Sequence, residues 1–333
     1  EPPTGDAMIE LGPRDAAGRP VFHEAVNAGK SLRRMDLKQP EQRAEFLRLV
    51  EGFDVLIEGF RPGVMRRLGL DYPVLRAINP GLIFCSLSGY GAAGPMAQAA
   101  GHDNNYLANA GVLHRNGQTG PMFFDPPVAD VSSSLFGVIA ILGALRAREA
   151  DGQGCAIDIA LADTVMPLQI FPIAEHGATG AVPERGGYYL NGGAAYYQVY
   201  RTSDDRHIAL GAIENKFWAG FCNAAERPEW IARQTEKMPQ HALTADVAAL
   251  IATMTLDECL RRFGPADCCV SPVLDLGEAI ASPHHSGRGL VRRAPDGALQ
   301  ALFPARIDGA PPPARPRLRQ AAQLQETRSH EET

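Results

Sequence analysis

Between Gly101 and Asp130 the chain reads GHDNNYLANAGVLHRNGQTGPMFFDPPVAD, with the pair His102–Asp103 at one end and a second acid, Asp130, at the other. An imidazole titrates near neutrality and moves a proton in either direction, and a carboxyl does the same once burial or a neighbouring charge raises its pKa. Carried on two separate segments, such groups can take a proton from one face of a carbon and return one to the other. The residues by themselves leave simpler roles open. His102 can be a buried, hydrogen-bonded histidine, Asp103 a turn acid, and Asp130 the N-cap of a helix that begins at Val131–Ser134.

These groups need a scaffold to meet. Hydrophobic periodicity predicts helices over 42–51 and 72–78, short buried strands over 55–57 and 82–87, a long apolar helix over 132–148, a strand over 155–159 and a further helix over 160–173. Such βα alternation predicts an open α/β sheet. From Ala195 the pattern changes, and AYYQVYRTSDDRHIALGAI reads as two strands around a polar turn at Ser203–Arg206. The Gly- and Pro-containing stretch 177–193 is then the passage into a smaller α+β domain. The expected division is 1–176, 177–285 and a C-terminal segment 286–333, with residues after about 318 as a disordered tail.

Gly89–Gly94 satisfies G-x-G-x-x-G, but Pro95 follows and no helix opens there to face a pyrophosphate, so a nicotinamide-type site is not expected. The same glycines allow close approach of a ligand to backbone.

Several motifs lie in order along the chain: EPPTGD (1–6), GKSLRRMDLKQP (29–40), VLIEGFRPGVMRRLGL (55–70), NPGLIFCSLSGYGAAGP (79–95), GHDNNY with Asp130 following His102 by 28 positions, GQGCAIDIALAD (152–163), LNGGAAYYQVYRTSDDRHIALGAIENKFW (190–218) and DCCVSPVLDLGEA (267–279). In content and sequence they resemble the α-methylacyl-CoA racemases of the family III CoA-transferase (CaiB/BaiF) superfamily. The resemblance implies an open Rossmann-like large domain with a smaller α+β domain, a strand, helix and strand ahead of EPPTGD whose first strand is missing here, and a C-terminal segment that returns to the large domain. It further implies an interlocked homodimer, a cytoplasmic setting and work in lipid metabolism.

It also assigns roles. His102 and Asp130 become the two proton carriers, and Glu214 approaches the histidine from the small domain, in the family from the partner chain; a helix N-terminal acid is the simpler reading of Glu214. Met35, Asp36, Leu37, Lys38, Arg61, Ser88, Gly89, Tyr90 and Gly91 fall where the family binds CoA, and Gly101, Asp103, Asn104, Asn105 and Tyr106 complete the site loop. Many racemases carry arginine at the position of Ser86 and near Pro2, and a glycine-rich run at Ser132–Ser134; this chain has none of these. The implied reaction epimerises the α-carbon of a 2-methylacyl-CoA through an enolate, with CoA as part of the substrate and no separate cofactor. Two alternatives stand: a family III CoA-transferase with Asp130 as nucleophile, and a catalytically impaired, truncated member.

Composition narrows the rest. Lys+Arg 32 against Asp+Glu 38 gives a net charge of −6, which argues against a nucleic-acid surface. The strongly apolar run 136–145 is shorter than the roughly 20 residues that a bilayer requires, so no membrane partner is expected. Six cysteines without a CxxC spacing point to reduced thiols rather than a metal site.

Overall fold

In chain order the strands are β1 (Ser31–Leu32), β2 (Val55–Glu58), β3 (Ile83–Ser88), β4 (Ala156–Ala160), β5 (Tyr197–Arg201), β6 (His207–Gly211), β7 (Val270–Pro272), β8 (Val291–Arg293), β9 (Leu299–Ala301) and β10 (Arg319–Gln320). The computed structural model describes residues 1–117 and 120–320. It falls into two units, one of residues 1–49 with 274–333 and one of residues 50–273.

In the unit 50–273, β2, β3 and β4 form a parallel sheet with β3 in the middle. A central parallel strand is covered on both faces, and β3 accordingly opens on the buried run Ile83, Phe84, Cys85. The helix Val128–Asp151 packs Ile141, Ala144 and Leu145 into one cluster with Ile83, Cys85 and Leu87. Its buried residues are small near its start, Ala129, Ser132, Ser133 and Gly137, which lets the backbone approach its neighbours closely. The helix begins at Val128, ahead of the expected 132, and by length and mean hydropathy (1.9) it is long and apolar enough to cross a membrane. Here it is one layer of the α/β unit. The helix expected over 160–173 is broken instead into Leu161–Thr164, a 3₁₀ turn Pro167–Gln169 and Ile170–Thr179. Pro167 has no N–H to continue the ladder, which accounts for the break.

The same unit carries the antiparallel sheet β5–β6–β7, with Tyr200 opposite Ile208 and Leu210 opposite Val270. Its core is aromatic: Trp218 stacks on Phe221 (5.5 Å, 18°) and Phe221 on Phe263 (4.8 Å, 22°), all three fully buried. Phe263 ends the helix Leu256–Phe263, whose start is secured by the Thr255–Glu258 capping box and by Asp204 accepting from the Leu256 N–H.

In the unit 1–49 with 274–333, β1 runs parallel to β10 and β8 pairs antiparallel with β9. Buried Gln300 exchanges two bonds with the Arg315 backbone, and Arg317 pairs with Glu24 and Asp296. β10 therefore occupies 319–320, where the tail was expected to begin. The remainder of that expected tail, 321–333, lies outside the described residues.

Truncating Phe263 removes the end of the aromatic stack from a site with no solvent to refill it. Phe263→Ala is expected to cost about 3–5 kcal/mol, read as the loss of unfolding free energy in a urea titration; a loss below about 1 kcal/mol would show that the stack is not structural.

Candidate active site

Parallel α/β sheets leave a crevice beyond the carboxyl ends of their strands, where ligands bind. A cleft of about 480 Å³ lies at that edge, lined by Gly59–Pro62 after β2, by Leu87 and Ser88 of β3 and Gly89 after it, by Leu161 after β4, and by Gly101, His102, Asn105 and Tyr106. Two acids set into the strands hold its rim. Glu58 accepts from the Phe60 N–H at 2.7 Å and from the Ser86 hydroxyl, while Asp158 accepts from the Ala92 N–H at 2.9 Å. These acids escaped the sequence reading, although the signal was present: a carboxylate inside VLIE and AIDIA has a specific partner or it would not sit in a strand.

His102 is exposed and forms the N-cap of the helix Asp103–Asn109. Its backbone N–H donates to Asn105 Oδ1 at 3.0 Å, so Asn105 fixes the turn from which the imidazole projects. Tyr106 is buried, its hydroxyl donates to the Gly101 carbonyl at 2.6 Å, and its ring meets Tyr90 edge-on at 5.2 Å. Both flanking glycines are required by this packing: a Cβ at Gly89 would lie 2.6 Å from the Tyr106 hydroxyl oxygen, and one at Gly101 2.8 Å from its ring. Burial, with Tyr90 and Asp130 nearby, raises the Tyr106 phenol.

Asp103 makes the decisive contact. The long helix starts after Pro127, which offers it no side-chain cap. Asp103 Oδ1 accepts instead from the Ala129 N–H at 2.7 Å and the Asp130 N–H at 3.2 Å, capping that helix from another segment. Asp130 is consequently not the N-cap that the sequence suggested; it is the third residue of the helix. Asp130 is exposed on the helix surface, yet its carboxyl is raised above the usual aspartate range, first by partial desolvation against the neighbouring segments and then by the Asp103 charge, while His102 pulls it the other way. His102, Asp103 and Asp130 thus form one electrostatic group. Behind them the Ser132–Ser134 hydroxyls return to backbone carbonyls, Ser133 and Ser134 both to that of Asp130, and Ser132 also bonds Thr164.

Matching the sequence of the chain to CoA-transferase family III succeeds over residues 1–320. The chain belongs to that family. It is 34% identical over 274 residues to the human α-methylacyl-CoA racemase, covering 79% of this chain and 70% of that one. It is 32% identical over 304 residues to the α subunit of the Chloroflexus aurantiacus succinyl-CoA–L-malate CoA-transferase, covering 86% and 69%. The crystal structure of a CaiB/BaiF family protein from Brucella suis superposes with a TM-score of 0.85 at 28% identity, over 99% of this chain and 90% of that one. Membership makes the chain an enzyme of the family III CoA-transferase and racemase group, with the mixed α/β fold of that family.

Against the family expectations the structure brings Arg61, Ser88, Gly89, Gly101, His102, Asn105 and Tyr106 to one cleft. Asp103 and Asp130 join through the helix start; Tyr90 and Gly91 follow in the rim loop, and Asn104 is exposed beside His102. Met35, Asp36, Leu37 and Lys38 belong to the unit 1–49 with 274–333, in a loop held by Gln42 Oε1 on the Asp36 N–H. Glu214 is an exposed N-cap of the helix Asn215–Ala224. Among the described residues no hydrogen bond or ion pair joins it to His102, Asp103 or Asp130. Its charge is felt by Cys269, which lines a second cleft of about 740 Å³ over β5–β7.

Asp103→Asn keeps an acceptor for the helix start but deletes the like charge, so the protonation midpoint of Asp130 should fall toward the ordinary aspartate value. Asp103→Ala should in addition cost about 0.5–2 kcal/mol of stability by uncapping the helix. Carboxyl ¹³C titration of Asp130 checks the first effect, and an unmoved midpoint in Asp103→Asn would refute the coupling.

Proposed function

We propose that this enzyme racemises the α-carbon of 2-methylacyl-CoA thioesters. The observation that carries the reading is the coupled group of His102 and Asp130, in which the aspartate is raised toward the protonated form that an acid needs. One of the two removes the α-proton, the electron pair of that C–H bond moves to the carbonyl oxygen to give an enolate, and the other returns a proton from the opposite face. The thioester bond stays intact. Arg61 offers the cleft a charge-assisted donor for CoA phosphate, and branched fatty acyl, bile-acid-like and aryl-propionyl thioesters suit the chemistry, which would place the enzyme in lipid metabolism.

The transferase reaction uses the group differently. Asp130 would attack the thioester carbonyl, the C–S bond would break with CoA leaving as thiolate, and an acyl-aspartyl anhydride would form. His102 has no task in that sequence, which favours racemisation. In deuterium oxide the enzyme is expected to wash deuterium into the α-position with total thioester unchanged, and His102→Ala or Asp130→Ala should each lower the rate at least about 10²-fold. Trapping of acyl-Asp130 by hydroxylamine without deuterium uptake would replace this reading with the transferase.

The racemase reading extends to assembly. On the long helix Val131, Leu135, Val138, Ile139 and Leu142 form an exposed apolar stripe at helical spacing, with Leu135, Ile139 and Leu142 58–62% exposed. A patch of that kind marks an interaction surface, and a homodimer that brings Glu214 of one copy to the histidine of the other would supply the contact that the described residues of one chain do not make. Sedimentation should give a dimer, and Leu142→Lys should shift it toward monomer; a monomeric wild type would exclude this arrangement.

A further inference from the structure

We infer that Gln98 is a positioning residue whose side chain crosses the mouth of the cleft and sets the spacing between the loop that carries Arg61 and the loop that ends at His102. This rests on the racemase reading and adds to it the residue that registers the two ends of the substrate. Gln98 Nε2 donates to the Pro62 carbonyl at 3.2 Å, between segments 36 positions apart in sequence. Pro62 follows Arg61 directly and Gln98 lies just ahead of His102, so one bond ties the lip bearing the guanidinium to the lip bearing the imidazole.

The other anchors of each lip show what this bond adds. The Arg61 loop is fixed at its start, where Glu58 accepts from the Phe60 N–H at 2.7 Å, and it leaves through Gly63 at φ +86°. The opposite lip, residues 95–101, belongs to no helix or strand. Asp158 holds the approach to it through the Ala92 N–H, and Tyr106 holds its end through the Gly101 carbonyl. Between those anchors Ala97, Ala99 and Ala100 line the cleft with side chains that stop at Cβ, and the Met96 sulfur accepts from Asn109 Nδ2 at 3.5 Å. Gln98 is the side chain that reaches from this run to the other lip.

A substrate gripped at a phosphate end and reacting at an acyl end needs a fixed distance between the two grips, since a misplacement of about 1 Å can cost about 10²-fold in rate. A neutral, exposed hydrogen bond shifts an equilibrium by only about 2- to 10-fold. It biases the lips toward one spacing and still releases when CoA enters.

Gln98→Met keeps the length of the side chain and removes the donor. Because the bond is exposed, the melting midpoint of the ligand-free enzyme should not move. The KM of a 2-methylacyl-CoA for α-proton exchange should rise about 2- to 10-fold with kcat held, since a substrate bound at both ends spans the lips itself. The matching acyl-pantetheine thioester, which has no nucleotide phosphates to engage Arg61, should show neither change. Amide hydrogen exchange should quicken in 59–63 and 96–101 together. An unchanged KM, equal losses with both thioesters, faster exchange in one lip alone or a lowered melting midpoint would each overturn the inference. If wild type exchanges no α-proton, the racemase reading fails by that result alone. The affinities of S-alkyl-CoA and S-alkyl-pantetheine thioethers for wild type and Gln98→Met then decide the role of Gln98: weaker binding of the CoA probe alone upholds it, and equal or no weakening overturns it.

Discussion

The Asp103 carboxylate governs both the shape and the electrostatics of the candidate site. A helix N-terminus leaves four backbone N–H groups without internal partners, and Pro127 supplies nothing to the start of the long helix. Asp103 answers two of those donors from the first turn of a different helix. Two helix starts, one bearing His102 and the other Asp130, are thereby tied at a single oxygen. The same charge sits close enough to oppose ionisation of Asp130. A helix N-terminus ordinarily favours a carboxylate; here partial desolvation and the like charge outweigh it and the pKa rises. Geometry and proton affinity thus depend on one contact and cannot be tuned separately.

Around that contact the parallel sheet does a different job. Its strands end at one edge, and the loops that follow would be free there without further anchors. Glu58 and Asp158, on the strands flanking β3, bond the backbone N–H of Phe60 and Ala92 and so shape both rims of the cleft. The Ser86 hydroxyl gives the Glu58 carboxylate its second donor. With the Phe60 N–H and the Ser86 hydroxyl the carboxylate has two neutral donors.

Local periodicity made much of this legible. The helix Tyr72–Ile78 falls on its expected span, and the strands lie within a residue or so of theirs, because apolar runs bounded by Gly, Pro and Asn carry their own punctuation. The sequence misplaced what depends on distant partners. The long helix starts at Val128 because Asp103 caps it there, and no window around Pro127 contains that information. The break at Pro167 was readable from proline chemistry and was overridden by the surrounding apolar pattern. His102, Asn105 and Tyr106 were found through their motif, yet their division of labour emerges only from the packing, with Asn105 and Tyr106 shaping the loop and His102 left exposed.

What remains is why the fold tolerates a site that is locally unfavourable. A carboxyl whose ionised form is disfavoured and a buried Ser88 hydroxyl with no partner among the described residues both work against folding. Proteins violate local rules where function requires it and recover the loss elsewhere. The recovery is visible in the same unit, where the stacked Trp218, Phe221 and Phe263 and the fully buried Ile208, Leu243 and Ile251 form an apolar core beneath β5–β7. That apolar core is built apart from the cleft, where Asp130 keeps its raised pKa.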